Sequence, residues 1–345
     1  MTTWMLYGAN GYTGVLIAEL AVRRGLRPVL AGRSAAKVAP LAERLGLEHR
    51  AFGLDDAADA LRDVDVVAHC AGPFSATSRP MVDACLATGT HYTDITGEID
   101  VFEAVAARDG EAKAAGVVLL PGTGFDVVPT DCVAAVLAAA LPGATHLDLA
   151  FTTGGGASPG TTKTSVEGSA NGGRARVDGE LRTFRVGHRR RSAAFHSGAR
   201  DVGAIPWGDV STAYRSTGIP NITTFTVLPG LAGHLQALFG PLLRTSLAQG
   251  FGKAVAQRIS GPGEELRAKT RSEVWGEVSD VEGRTVSVAL TAPNAYDLTA
   301  DAVVRAVQRL LDGGVPAGSH TPSSAFGADF VRTLDGVVVH ELVRT

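Results

Sequence analysis

The sequence predicts an α/β fold: a doubly wound parallel sheet over residues 1–144, then a second α+β domain of mostly antiparallel or mixed sheet over 145–295, with 296–345 returning to the first. Three observations carry this expectation. Short, wholly apolar runs alternate with helical patterns through the first 145 residues, the rhythm of strands buried on both faces by helices. A glycine-rich turn separates the first such run from the first helix. From Thr145 the pattern changes to β-runs in meander order.

The buried-strand runs are Trp4 to Tyr7, Pro28 to Ala31, Val64 to Cys70, Tyr92 to Ile95 and Val117 to Leu120. Between them, Thr13 to Arg24 reads as a helix with arginines in its last turn and Gly25 placed to end it. Ala35 to Leu45, Arg79 to Thr88, Glu98 to Ala115 and Pro129 to Ala140 are the other helices expected in this half. In the second domain, His146 to Thr152, Arg174 to Val186, Ile222 to Val227, Arg271 to Val278 and Thr285 to Ala292 read as strands. The last two flank Asp280 to Gly283, a hairpin signal, and Thr299 to Leu311 is a helix ended by Gly313 and Gly314. The Arg189 to Arg191 triplet reads as a solvated loop.

At 345 residues the chain has room for two cores, at about 150 residues per domain. With 45% apolar and 19% charged residues, and 32 Lys+Arg against 35 Asp+Glu, it is neither disordered nor a polycation. Nucleic acid is therefore not an expected partner. Cys70, Cys85 and Cys132 are far apart in apolar surroundings, giving no metal-ligand spacing and no disulfide framework. Together with an N-terminus lacking a basic, then apolar, leader and the absence of an unbroken apolar 20-mer, they predict a cytoplasmic protein without a transmembrane segment.

The strongest local signal is Gly8-Ala9-Asn10-Gly11-Tyr12-Thr13-Gly14, standing between a strand and a helix. In this Rossmann-type arrangement Gly8 permits the sharp turn, Gly11 lets the main chain approach a pyrophosphate, and Gly14 lets the helix pack on the sheet. The helix N-terminus supplies N–H groups and positive dipole to the phosphates. The second strand ends at Ala31-Gly32-Arg33-Ser34, where an NAD site would place a carboxylate for the ribose 2′-hydroxyl. Arg33, Ser34 and Lys37 instead offer two cations and a hydroxyl, which suits the 2′-phosphate of NADP(H).

The ligand of such a sheet lies outside the carboxyl ends of its strands, where three further segments are expected. Ala71, Gly72, Pro73 and Phe74 should pass the nicotinamide ribose, with Phe74 able to wall the ring. Thr96, Gly97 and Glu98 put a carboxylate near a helix start, either as an N-terminal helix charge or as an anchor for cofactor or substrate. Asp126, between Phe125 and Val127, either caps the helix opening at Pro129 or, if burial raises its pKa, donates a proton. Asp126 and Glu98 are thus the candidate catalytic residues, with Lys163 and His196 as alternative donors, and no metal site is expected.

These residues resemble the saccharopine dehydrogenase NADP-binding family. Cys70-Ala71-Gly72-Pro73-Phe74, Met81 to Cys85 and Gly89 to Glu98 follow that family's order and spacing, and Gly124 to Asp131 is similar to its saccharopine dehydrogenase-like oxidoreductase and trans-acting enoyl reductase branch. The Gly154 to Ser165 loop, the Tyr296 helix and Thr321 to Gly327 fit the same branch. The resemblance implies an NADPH-dependent oxidoreductase passing hydride to an unsaturated small-molecule acceptor, with C=C (enoyl-type) reduction ahead of C=N reduction. A non-catalytic NADP(H) sensor is the alternative from another class. A short-chain dehydrogenase is excluded because no tyrosine is followed four residues later by lysine. The apolar segment Leu228 to Phe251 is expected either to wall a tunnel for an apolar acceptor or to pack against its own domain or a second copy, as in a homodimer.

Overall fold

The computed structural model describes residues 3–154, 156, 172–228 and 261–345, which form two compact units. The first unit comprises Met1–Val128 and Tyr296–Gly327, the second Pro129–Ala295 and Ala328–Thr345. Pro129 to Ala140 and the tail from Ala328 therefore group with the second unit, where the sequence had suggested the first.

In the first unit, β1 (Trp4–Tyr7), β2 (Val29–Gly32), β3 (His49–Ala51), β4 (Val66–His69), β5 (His91–Asp94), β6 (Val118–Leu120) and β15 (Gly318–Ser319) form one sheet. It is parallel throughout, in the order β15-β6-β5-β4-β1-β2-β3. β1, β2 and β4 are buried at every position, which is why they read as unbroken apolar runs. The connecting helices are α1 (Tyr12–Arg23), α2 (Ala35–Leu45), α3 (Ala57–Ala60), α4 (Phe74–Thr88), α5 (Ile99–Ala106) and α6 (Asp109–Ala115). The single helix expected from Glu98 is thus two, and the one expected from Arg79 begins earlier. Strand order reverses between β1 and β4, so the exits of these two strands border the crevice where an α/β sheet binds its ligand.

The second unit is built on a mixed sheet. Its central strands are β7 (His146–Thr153), β12 (Asn221–Thr226), β13 (Ser272–Ser279) and β14 (Thr285–Ala292). β12 runs parallel to β7, whereas β13 is antiparallel to both β7 and β14. β14 alternates buried and half-buried residues, the mark of a strand with one covered face. On β13, an added Cβ at Gly276 would lie 2.7 Å from Val133 and 2.8 Å from Leu137. Only glycine lets α7 (Val128–Ala140) pack this close to the sheet.

Two local expectations are corrected here. Arg174 to Val186 is a hairpin, β8 (Gly173–Val177) and β9 (Glu180–Phe184), turning at Asp178 and Gly179 with positive φ. The arginine triplet opens β10 (Arg190–Phe195), paired with β11 (Gly198–Ile205). It leads into a strand instead of a loop, and although Arg189 and Arg190 remain exposed, Arg189 and Arg191 both pair with the buried Asp148, and Arg191 also reaches Glu277 and lies over the Trp275 ring.

Candidate functional site

The turn after β1 is fixed by backbone geometry. Gly8 takes φ +84°, and the N–H groups of Gly8 and Ala9 donate to the Ala31 carbonyl at 2.8 and 3.1 Å, tying the turn to the end of β2. A Cβ on Gly8 would stand 2.8 Å from the nitrogen of Ala71, and one on Gly14 would stand 2.5 Å from the Gly8 carbonyl oxygen. Both positions require glycine for packing. At Gly11 a Cβ would meet only the Gly8 oxygen, at 3.2 Å, so this face of the turn is open to a ligand. Gly11 is also the N-cap of α1, which has no side-chain cap and no acidic residue in its first turn. An N-terminus built this way attracts an anion. Asn10 leans toward β2, its Oδ1 lying 3.1 Å from where a Cβ on Gly32 would sit. Thr13 lies in the first turn of α1, and the Tyr12 ring packs edge-on against Tyr296, 5.0 Å between centroids.

At the end of β2, Arg33 and Lys37 are exposed and Ser34 N-caps α2 without a side-chain bond. Neither cation has an ion pair among the described residues, and no carboxylate occurs between Gly32 and Ala42. This local chemistry fits a 2′-phosphate better than a 2′-hydroxyl.

The opposite wall begins at β4, where Ala71, Gly72 and Pro73 lead into α4 at Phe74. Glu98 closes the N-terminus of that helix: its Oε1 accepts from the Phe74 N–H at 2.9 Å and its Oε2 from the Ser75 N–H at 2.8 Å. The Glu98 carboxylate therefore anchors the 71–74 segment. Thr96 supports it, its hydroxyl accepting from the Glu98 N–H at 3.1 Å. Gly97 makes room for the other acid, since a Cβ there would stand 2.8 Å from Asp126 Oδ2. Burial pushes the Asp126 carboxyl up to about 7, so it holds a proton over part of the neutral range.

Sequence reasoning missed three supports of this site. Asp94, at the end of β5, accepts from the N–H groups of Thr96 and Gly122 at 3.0 and 2.8 Å and from the Tyr92 hydroxyl at 2.6 Å. It joins the loops after β5 and β6, and burial raises it to about 6 against the pull of those donors. His69 is fully buried at the end of β4, held neutral down to about 3, with Nε2 3.0 Å from the Thr77 hydroxyl. The Thr77 oxygen lies within 2.8 and 3.0 Å of the Ala71 and Pro73 carbonyls. Thr299, on α8 (Ala295–Asp312), accepts from the Phe125 N–H at 2.9 Å. Buried polar residues after apolar runs were the available signal for Asp94 and His69; Thr299 is 174 residues from its partner and had none.

His196 lies in the second unit, stacked on His340 at 3.8 Å, and is not brought to this wall by any described contact. Lys163, most of the Gly154 to Ser165 loop and nearly all of Leu228 to Phe251 lie outside the described residues. No helix among the described residues is long and apolar enough to cross a membrane.

The same part of the chain is where it resembles known proteins. Residues 4–120 match the family described as saccharopine dehydrogenase NADP binding domain. The chain is 34% identical over 139 residues to the trans-acting enoyl reductase of Mycobacterium leprae, a match covering 37% of this chain and 33% of that protein. It is 28% identical over 153 residues to the saccharopine dehydrogenase-like oxidoreductase of Bos taurus, covering 37% and 35%. The matches thus span about a third of the length of these curated relatives. The fold is shared with apo saccharopine dehydrogenase (L-Glu forming) from Saccharomyces cerevisiae, with TM-score 0.69 and 13% identity over all of both chains. Over residues 4–120, about a third of its length, the chain thus resembles the NADP binding domain of saccharopine dehydrogenase.

Proposed function

We propose that this protein is an NADP-dependent oxidoreductase that directs a hydride onto an unsaturated small-molecule acceptor, with C=C (enoyl-type) reduction preferred over C=N reduction. The observation that carries the reading is the turn at Gly8 to Gly14: two glycines closed by packing, one open to a ligand, and an uncapped helix start. The name of the partial relative from Mycobacterium leprae favours the enoyl acceptor. Gly11 and the start of α1 would hold the pyrophosphate, while Arg33, Ser34 and Lys37 would hold the 2′-phosphate. When bound, the nicotinamide supplies the hydride. Glu98 fixes the 71–74 segment as a wall for the ring, and Asp126 holds a proton at Oδ2 for the acceptor. The three free thiols suit a reducing, cytoplasmic setting. An apolar acceptor and a homodimer belong to the same reading, the latter checked by sedimentation.

NADPH oxidation with a panel of enoyl and imine acceptors tests the activity. Turnover of enoyl acceptors is expected, with Asp126→Asn slower by roughly 10²- to 10⁴-fold at unchanged cofactor affinity. Consumption of imines alone moves the assignment to C=N reduction, and cofactor binding without consumption identifies a sensor.

A further inference from the structure

We propose that the second unit carries a separate binding site for a small oxyanion, a carboxylate or phosphate group, in a cleft of about 510 Å³ at one end of its mixed sheet. The floor is set by strand register: Thr152 on β7, Glu273 on β13 and Thr291 on β14 are directly paired across three strands, so their side chains share one face. The hairpin of β10 and β11 supplies Ser197 and Arg200, and Arg271 stands just before β13. The volume falls within the range of small-molecule pockets.

The cleft holds two guanidinium groups against one carboxylate, so its side chains carry an excess positive charge. Glu273, only 7% exposed, accepts from the Ser197 N–H at 2.8 Å and the Ser197 hydroxyl at 2.5 Å, so much of its charge is stabilised by neutral donors. Arg200 stands 3.9 Å from it and donates at 3.0 Å to the Ser197 oxygen through Nη2. Arg271 donates through Nη1 to the carbonyls of Ala268 and Thr270, both at 2.9 Å. Each guanidinium is thus tethered by one nitrogen, while its other donors have no partner among the described residues. A pair held this way is preorganised for an oxyanion, because little side-chain freedom remains to be lost on binding. The Thr152 hydroxyl adds a neutral donor, the Thr291 hydroxyl is engaged with His340 Nε2 at 3.3 Å, and Glu273 disfavours a second negative group at the floor.

This inference does not rest on the hydride reading, and its test consumes no cofactor. Isothermal titration calorimetry on the full chain, with inorganic phosphate and with succinate as probes, compares wild type, Arg200→Gln, Arg271→Gln and Arg33→Ala. Saturable binding is expected in wild type and in Arg33→Ala, weakened about tenfold or more by either glutamine variant. Tighter binding of succinate assigns a carboxylate ligand, tighter binding of phosphate a phosphorylated one. Both arginines are surface groups, and if one variant fails to fold by thermal melt, the other carries the test. Absence of saturable binding overturns the proposal, as does binding that Arg33→Ala abolishes and both glutamine variants leave intact.

Discussion

Gly11 and Gly14 belong to one turn, yet their missing Cβ atoms serve different purposes. Gly14 is closed by the protein itself, 2.5 Å from the Gly8 oxygen, so Gly14→Ala must displace backbone and should lower the melting temperature with or without cofactor. Gly11 faces the opening, so Gly11→Val should melt closer to wild type but lose the upward shift that NADPH gives it. Thermal melts of the two variants with and without NADPH separate these outcomes; a full NADPH shift in Gly11→Val would count against the cradle. The glycine spacing was legible because backbone requirements recur with the local motif. The role of Glu98 was not. Its position before α5 suggests service to its own helix, whereas its partners are the N–H groups of Phe74 and Ser75, distant in sequence.

At the scale of elements, the unit presents two helix starts of opposite design. α1 is left without an acidic residue or side-chain cap, while the start of α4 is neutralised by Glu98. A carboxylate at a helix N-terminus satisfies N–H groups that would otherwise bind an anion, so the same physics leaves one end for ligand and closes the other. Glu98→Ala should cost about 1 kcal/mol of stability, typical of a lost cap, and should raise the KM for NADPH by loosening the 71–74 wall. Chemical denaturation and initial rates check the two effects; unchanged stability would show that the clamp contributes nothing. The strands of the first unit could be read from sequence because they are apolar on both faces. β10 could not: its arginines look solvated until Asp148 and Glu277, far along the chain, are folded beside them. The units also divide where the sequence shows no break, at Val128 and Pro129 within α7, because its apolar residues pack on Gly276.

For the whole molecule, the buried titratable groups give opposed pH dependences. His69 is held neutral to about 3, well below the ordinary 6.5 of an unfolded chain. Its contribution is fully present above 6.5 and is lost as pH falls toward 3, by at most about 1.4 kcal/mol per pH unit. Asp126 is raised to about 7, so its contribution is present below its unfolded value near 3.8 and is lost as pH rises through 7. Relative to wild type, His69→Gln should therefore gain stability as pH falls from 7 to 5, and Asp126→Asn should gain it as pH rises from 5 to 8. Urea unfolding across that range measures both; pH-independent differences would contradict the burial argument. The account as a whole depends on the cradle accepting a 2′-phosphate. The most direct test is equilibrium titration of NADPH and NADH onto wild type and Arg33→Ala, followed by cofactor fluorescence. Charge-assisted bonds of roughly 1.5 to 3 kcal/mol predict at least a tenfold preference for NADPH in wild type and its near disappearance in the variant. Equal affinities in wild type, or a preference that survives Arg33→Ala intact, would contradict it.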